Sequence, residues 1–336
     1  MPELGPATLP NPTERDGSRL TGAAIASVAM AVPDRVVPNA PIAERLGITE
    51  EWIVKRTGVR ERRLAEPGET LTGFAADAGA QALARAAADP LDVDLVLVAT
   101  MSPDDVAPSA AAGVAARLGA DRAGAVDVGA ACTGFLAALA LAGAYIEGRR
   151  AENVLVIGAD MLSRITNPDD RSTAALLADG AGAALVRRSA GGSRIGRVVL
   201  GSDGARGALI TADRTGGPVR MNGHDTFIQA VARMGEATHE ALRLADRSIA
   251  DVDLFVYHQA NSRIIAALGA ELSLPAERVV DYVPRFGNTS AATLPMALAL
   301  AEEEGRLAPG SLVLLAAFGG GLTWGATTVE WGRTDA

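Results

Sequence analysis

The 336-residue chain is 49% hydrophobic, 21% charged and 4% aromatic, the composition of a globular protein that packs its core from Ala, Val, Leu and Gly. Its formal net charge of −9 argues against a general nucleic-acid binder, which would present a basic face to phosphates. A single cysteine, Cys132, rules out an internal disulfide and a multi-cysteine metal site, and it fits a reducing cytoplasm.

Residues 1–20, MPELGPATLPNPTERDGSRL, mix proline with polar groups and lack a basic segment leading into an apolar core. They read as a disordered N-terminal tail rather than a signal peptide. Further on, LDVDLVLVAT (91–100) predicts a strand, PSAAAGVAARLG (108–119) a helix and GAVDV (124–128) a strand. VGAACTGFLAALALAGAYI (128–146) is uncharged over about the length of a membrane span. Its Ala and Gly gain little from lipid, so it predicts a helix from Cys132 buried inside the protein, with no membrane insertion. The strand NVLVIGAD (153–160) follows. The second half predicts strand DLFVYH (253–258), helix SRIIAALGAEL (262–272), strand VVDYV (279–283), helix TSAATLPMALALAEEEG (289–305) and strand SLVLLAAFG (311–319).

The chain matches itself at one offset. DVDL recurs at 92 and 251, ALALA at 138 and 297, and VLVIGAD (154–160) lies opposite VLLAAFG (313–319), each displaced by 159 residues. A period this long signals duplicated domains rather than a solenoid. Short apolar runs alternating with helices suit sheets covered by helices on both faces. Two similar α/β halves are therefore expected, residues 21–190 carrying the cysteine and 191–336 carrying a histidine and an asparagine, joined near residues 187–200.

Ligands gather at the carboxyl ends of strands in such sheets. Cys132 follows GAVDV, His258 follows DLFVY, Asn288 lies in RFGNTSAA, and a run of glycines opens the loop in AFGGGLTWG (317–325). The repeat carries Cys132 onto Ala291, three residues past Asn288, so the two loops should face each other. Alone, each residue also fits a structural role: a small buried thiol, an interior imidazole, a turn amide, a close-packed loop. Together they suit catalysis. A helix N-terminus is expected to lower the thiol pKa toward neutrality. The imidazole and the amide supply two donors for a thioester oxygen, and the glycines let backbone N–H groups approach a ligand.

GAACTGF, YHQANSRI, FGNTSAA and AFGGGLTWG, with EWIVKRTGVRERRLAEPGET (51–70), NPDDRS (167–172) and LADGAGA (177–183), closely resemble the β-ketoacyl-acyl-carrier-protein synthase III family of the thiolase superfamily. The likeness spans residues 21–333 with every motif in order. It implies a thiolase-like, duplicated five-layer α/β/α/β/α sandwich, a homodimer, and decarboxylative condensation of an acyl-CoA starter with a malonyl thioester, as initiates fatty acid or polyketide-type synthesis. Coenzyme A thioesters enter as substrates, and neither metal nor redox cofactor is implied. Cys132 would be the nucleophile, the N–H groups of Cys132 and Gly320 the oxyanion hole, His258 and Asn288 the donors, and Phe318 a shield that favours loss of CO2. Trp52 and Arg171 would sandwich the adenine, and Arg56 would hold a phosphate. Gly223, Phe227, Ala260 and Asn261 would line the pantetheine tunnel.

The sequence departs from the family pattern around the expected acyl pocket, Ala107, Leu162, Ala175 and Leu177, where smaller walls imply a starter larger than acetyl. Arg263 keeps one basic carrier-protein contact, but the following AALGAELS lacks lysines, which leaves malonyl-CoA open beside malonyl-acyl-carrier protein. Acyl transfer from Cys132 to an alcohol or amine, and Cys-His-Asn thioester hydrolysis, are the alternative chemistries.

Overall fold

The computed structural model describes residues 22–189, 194–213 and 217–332; the expected tail at 1–20 and part of the joining region lie outside them. In chain order the strands are β1 (Gly22–Ala31), β2 (Val36–Pro38), β3 (Glu61–Arg63), β4 (Leu95–Ala99), β5 (Gly124–Val128), β6 (Asn153–Met161), β7 (Asp179–Ser189), β8 (Arg194–Ile195), β9 (Val199–Ser202), β10 (Ile210–Thr211), β11 (Arg220–Met221), β12 (Leu254–Tyr257), β13 (Leu312–Gly319) and β14 (Thr323–Glu330). The helices are α1 (Asn39–Leu46), α2 (Glu50–Thr57), α3 (Leu71–Arg85), α4 (Ala110–Leu118), α5 (Gly134–Glu147), α6 (Gly223–Leu244), α7 (Ser262–Glu271), α8 (Val283–Phe286) and α9 (Thr293–Glu303).

One sheet runs β1-β7-β6-β4-β5; the other runs β12-β13-β14-β8, with β9 also on β14. The duplication is visible strand by strand. Elements β12, α9 and β13 begin 159 residues after β4, α5 and β6. In each half the first strand pairs in parallel with the last of these, which then pairs antiparallel with the next strand. Helices α5 and α9 lie between the sheets, α5 burying Phe135, Leu136 and Leu139 and α9 burying Leu294, Leu298 and Leu300 in one core with residues of both sheets, while α5 leaves Leu141 and Tyr145 exposed along one edge. The outer face of the first sheet packs on α3 and α4, that of the second on α6 and α7. These are the five layers α/β/α/β/α, a thiolase-like sandwich. The uncharged run at 128–146 is thus a central core helix, and no helix among the described residues is long and apolar enough to cross a membrane.

The layers approach so closely that two glycines are obligatory. A Cβ at Gly158 would lie 2.2 Å from Ala291 O, and one at Gly182 would lie 2.7 Å from Met296 N. VVDYV forms no strand. Val279 makes one bridge to Phe255, and the ladder then stops. Asp281 turns its carboxylate onto Val283 N–H and Ser262 Oγ–H, and Pro284, which has no N–H to pair, opens α8 instead.

Candidate active site

Cys132 sits in a single turn, Ala131–Thr133, between β5 and α5, and the corresponding turn of the other half, Ser290–Ala292, precedes α9. Ala131 and Ser290 occupy equivalent places in the repeat, and both hold positive φ, 45° and 51°. Left-handed conformations in residues with a side chain are costly and persist where surrounding contacts impose them, commonly at functional sites. Here they let both turns bend sharply toward the space between the sheets. The Cys132 turn is held by Thr133 Oγ1, bonded to Ala130 O at 2.7 Å and to Thr323 Oγ1 at 2.8 Å. Gly319 comes so close that a Cβ there would lie 2.8 Å from Cys132 N.

His258 follows β12, its N–H given to Ala316 O at 2.8 Å, with the ring 2% exposed and Nδ1 2.6 Å from Thr293 Oγ1. Asn288 is bonded through its backbone to Leu176 O and Ala178 N–H, both at 2.9 Å. Its Oδ1 accepts Ser290 N–H at 2.8 Å, which commits the oxygen and leaves the amide N–H groups to act as donors.

A cavity of about 790 Å3 brings these residues together: Cys132, His258, Asn288, Phe318 and Gly320 share it with Trp52, Arg56, Arg171, Gly223, Phe227, Ala260, Asn261 and Arg263. The geometry refines several assignments. Arg56 lies over Trp52, 5.6 Å from the ring centroid, and Arg171, which lines the same cavity as Trp52, gives its Nε–H to Leu46 O. Asn261 caps α7 through Arg263 N–H and donates to Arg56 O, so it braces the rim. Arg263 stacks on Phe227 at 5.5 Å.

Two acyl-pocket residues lie elsewhere. Ala107 is exposed on the loop after β4, and Ala175 is buried outside the cavity in a cluster with Leu46 and Ile53. Leu162 and Leu177 do line it, joined by Met101 and Val219, and these four pack as one apolar cluster. Met101 comes from the same loop as Ala107, six residues earlier, whereas Val219 comes from a segment distant in sequence that no local pattern reveals.

The thiol pKa also departs from expectation. Burial pushes Cys132 up to about 11; the Ser290 hydroxyl beside it pulls down, and the nearby Asp160 charge pushes up again. The α5 N-terminus alone does not set this thiol. Asp160 itself is fully buried at the end of β6, its pKa raised by that burial. Oδ1 accepts from Thr100, Met101 and Ser102, and Oδ2 from Ala291 N–H at 3.2 Å. Ser290 lies next to both the thiol and this carboxylate, its buried hydroxyl without a well-aligned hydrogen bond. The signal was in the sequence: a carboxylate closing the apolar run NVLVIGAD. His258 is shifted the other way, to about 3, because burial disfavours its cation; its imidazole is neutral at ordinary pH.

Comparison with known proteins shows the family. Residues 126–204 match the family described as 3-oxoacyl-[acyl-carrier-protein (ACP)] synthase III, and 242–331 match its C-terminal part. The chain is 44% identical to β-ketoacyl-[acyl-carrier-protein] synthase III 2 of Streptomyces coelicolor, over 94% of this chain and 95% of that protein. The crystal structure of 3-oxoacyl-[acyl-carrier-protein] synthase III from Aquifex aeolicus superposes with a TM-score of 0.90 at 41% identity, covering 92% of this chain and all of that one. A priming β-ketosynthase of a polyketide biosynthetic pathway superposes at 0.89 with 35% identity, covering 96% of this chain and 100% of that one.

Proposed function

The chain belongs to the 3-oxoacyl-[acyl-carrier-protein] synthase III family, and from that membership we propose that it condenses an acyl-CoA starter with a malonyl thioester, losing CO2 and giving a β-ketoacyl thioester. The observation that carries the reading is the meeting of Cys132, His258 and Asn288 in one cavity.

Cys132 sulfur attacks the starter carbonyl, the carbon–sulfur bond to CoA breaks, and the proton of the Cys132 thiol ends on the departing CoA sulfur. The step is proton-neutral overall, which suits a thiol that keeps its proton until the starter arrives. Cys132 N–H and Gly320 N–H hold the developing oxyanion. The malonyl thioester then places its carbonyl oxygen against His258 Nε2 and Asn288 Nδ2. The bond to CO2 breaks and its electron pair passes into an enolate stabilised by those donors. The enolate carbon attacks the acyl-Cys132 carbonyl, expelling the thiolate, which takes up a proton. Phe318, 3% exposed, keeps water from the malonyl carboxylate and so favours its departure. No step calls on a metal or redox cofactor.

At the mouth, Arg56, Arg171 and Arg263 are in no ion pair among the described residues and suit the phosphates of CoA or of a carrier's phosphopantetheine. An apolar end of Met101, Leu162, Leu177 and Val219 supports a starter larger than acetyl, with chain initiation as its place. The reading includes a homodimer: β5 ends its sheet, and Val126, Leu141 and Tyr145 leave an apolar face exposed beside it. It also includes a cytoplasmic location, in keeping with a free thiol nucleophile. Intact-protein mass spectrometry with a panel of acyl-CoAs tests the proposal. Expected is one acyl adduct, largest with starters bulkier than acetyl and absent in Cys132→Ala; free acid as the sole product with malonyl thioester present would refute condensation.

A further inference from the structure

We infer that Thr293 is a positioning residue that fixes the His258 tautomer, donating its hydroxyl proton to Nδ1 so that Nε2 carries the N–H presented to the malonyl thioester. The inference deepens the donor role proposed for His258 and rests on that reading.

A neutral imidazole has one N–H and one lone pair. His258 is buried and neutral, so Nε2 can donate only if Nδ1 is the acceptor. Thr293 Oγ1, 2.6 Å from Nδ1, is the partner found for that nitrogen among the described residues. The same hydroxyl lies 3.0 Å from Ser290 O, and one proton cannot serve both acceptors. A threonine that bonds back to the carbonyl three residues earlier is ordinary in a helix. Here two facts favour the ring. Ser290 O already receives the Thr293 backbone N–H, whereas Nδ1 has no other donor among the described residues, and the contact to Nδ1 is the shorter.

The fold does not require the hydroxyl. The equivalent first residue of α5 is Gly134, which builds the same turn-to-helix passage with no side chain. Nor does Thr293 cap its helix; Ala292 holds that place with no side-chain cap. Its oxygen is thus free of the usual structural duties of a threonine at a helix start.

The chain contains three histidines, His224, His239 and His258, so 15N NMR of histidine-labelled protein reads each ring separately. Expected is the Nε2–H tautomer at His258 in the wild type, with that bias lost in Thr293→Val. In half-reaction assays, Thr293→Val should acylate Cys132 within about threefold of wild type while decarboxylating malonyl thioester about tenfold more slowly, the scale of one buried, unpaired polar group. Thr293→Ser should recover both the tautomer and the rate, and it covers the case of a valine variant that does not fold. An Nδ1–H tautomer in the wild type, or undiminished decarboxylation in a folded Thr293→Val, overturns the assignment. A wild type with the Nε2–H tautomer that forms no acyl adduct instead overturns the condensation reading and leaves the tautomer assignment standing.

Discussion

Substituting the first glycine of the GGG run separates a steric requirement from a mere loop preference. A Cβ at Gly319 would stand 2.8 Å from Cys132 N, 2.9 Å from Cys132 Cβ and 3.3 Å from its Cα. Such contacts demand a shift of roughly half an ångström, because non-bonded carbons settle near 3.5–4.0 Å. The Cys132 turn cannot yield freely, being pinned by Thr133 to Ala130 and Thr323 and bent through the positive φ of Ala131. The added methyl also crowds the N–H assigned to the oxyanion hole. Gly319→Ala should therefore cost about 1–3 kcal/mol of stability, as overpacking does, and about 10²-fold in acylation, as loss of one oxyanion donor does. The neighbouring Gly320→Ala is the control: its Cβ would meet Ile210 Cγ2 at 3.4 Å, an ordinary contact. It should acylate within about fivefold of wild type, its N–H being unchanged. Acyl-adduct formation followed by mass against time, with thermal melts of both variants, measures this. Equal rates for the two variants, or Gly320→Ala the worse, would refute the steric reasoning.

Other consequences are equally checkable. Alkylation of Cys132 by iodoacetamide should keep accelerating toward pH 11, and Asp160→Asn should move that midpoint down by removing a neighbouring negative charge; a wild-type midpoint below 8.5 contradicts this. The buried His258, held near 3, is protonated more readily in the unfolded chain, so its contribution to stability is present above about pH 6.5 and is lost as pH falls toward 3. Urea unfolding at pH 6 and pH 4 should show a slope of up to about 1.4 kcal/mol per pH unit that diminishes in His258→Gln. Asp104, drawn down to about 2 by Thr72, Arg164 and Leu71 despite the opposing effect of burial, adds acid sensitivity in a lower window. Its stabilisation is present above about pH 4 and is lost as pH falls through 2, so Asp104→Asn should flatten the melting-temperature profile there. Trp52→Ala removes the surface on which Arg56 rests and should raise KM for CoA thioesters about tenfold with little change in kcat.

The duplicated fold was legible because the same apolar runs recur at one spacing, and β4, α5 and β6 start where that spacing puts the counterparts of β12, α9 and β13. Cys132, His258 and Asn288 stood out because reactive groups follow strands. VVDYV misled because its apolar pattern fits a strand, while Asp281 and Pro284 decide otherwise through hydrogen bonding. The thiol was misjudged for a different reason: a helix terminus is local, but the desolvation that dominates depends on every layer packed around it. The resemblance alone places Ala107 and Ala175 in the acyl pocket, and neither lines the cavity, where Met101 and Val219 stand instead. Asp160 shows in the sequence as a carboxylate closing an apolar run, but its approach to Ser290 and Ala291 exists only where the two halves meet, and Thr293 reaches His258 across 35 residues of the second half, so no local pattern reveals those partners.

The most direct test compares CO2 release from a malonyl thioester in Cys132→Ala and His258→Ala. If the thiol serves acylation while imidazole and amide serve decarboxylation, the cysteine variant still releases CO2 and the histidine variant falls by about 10²–10³-fold, the scale of losing one donor to a developing oxyanion. Equal CO2 release by both variants would contradict that division of labour.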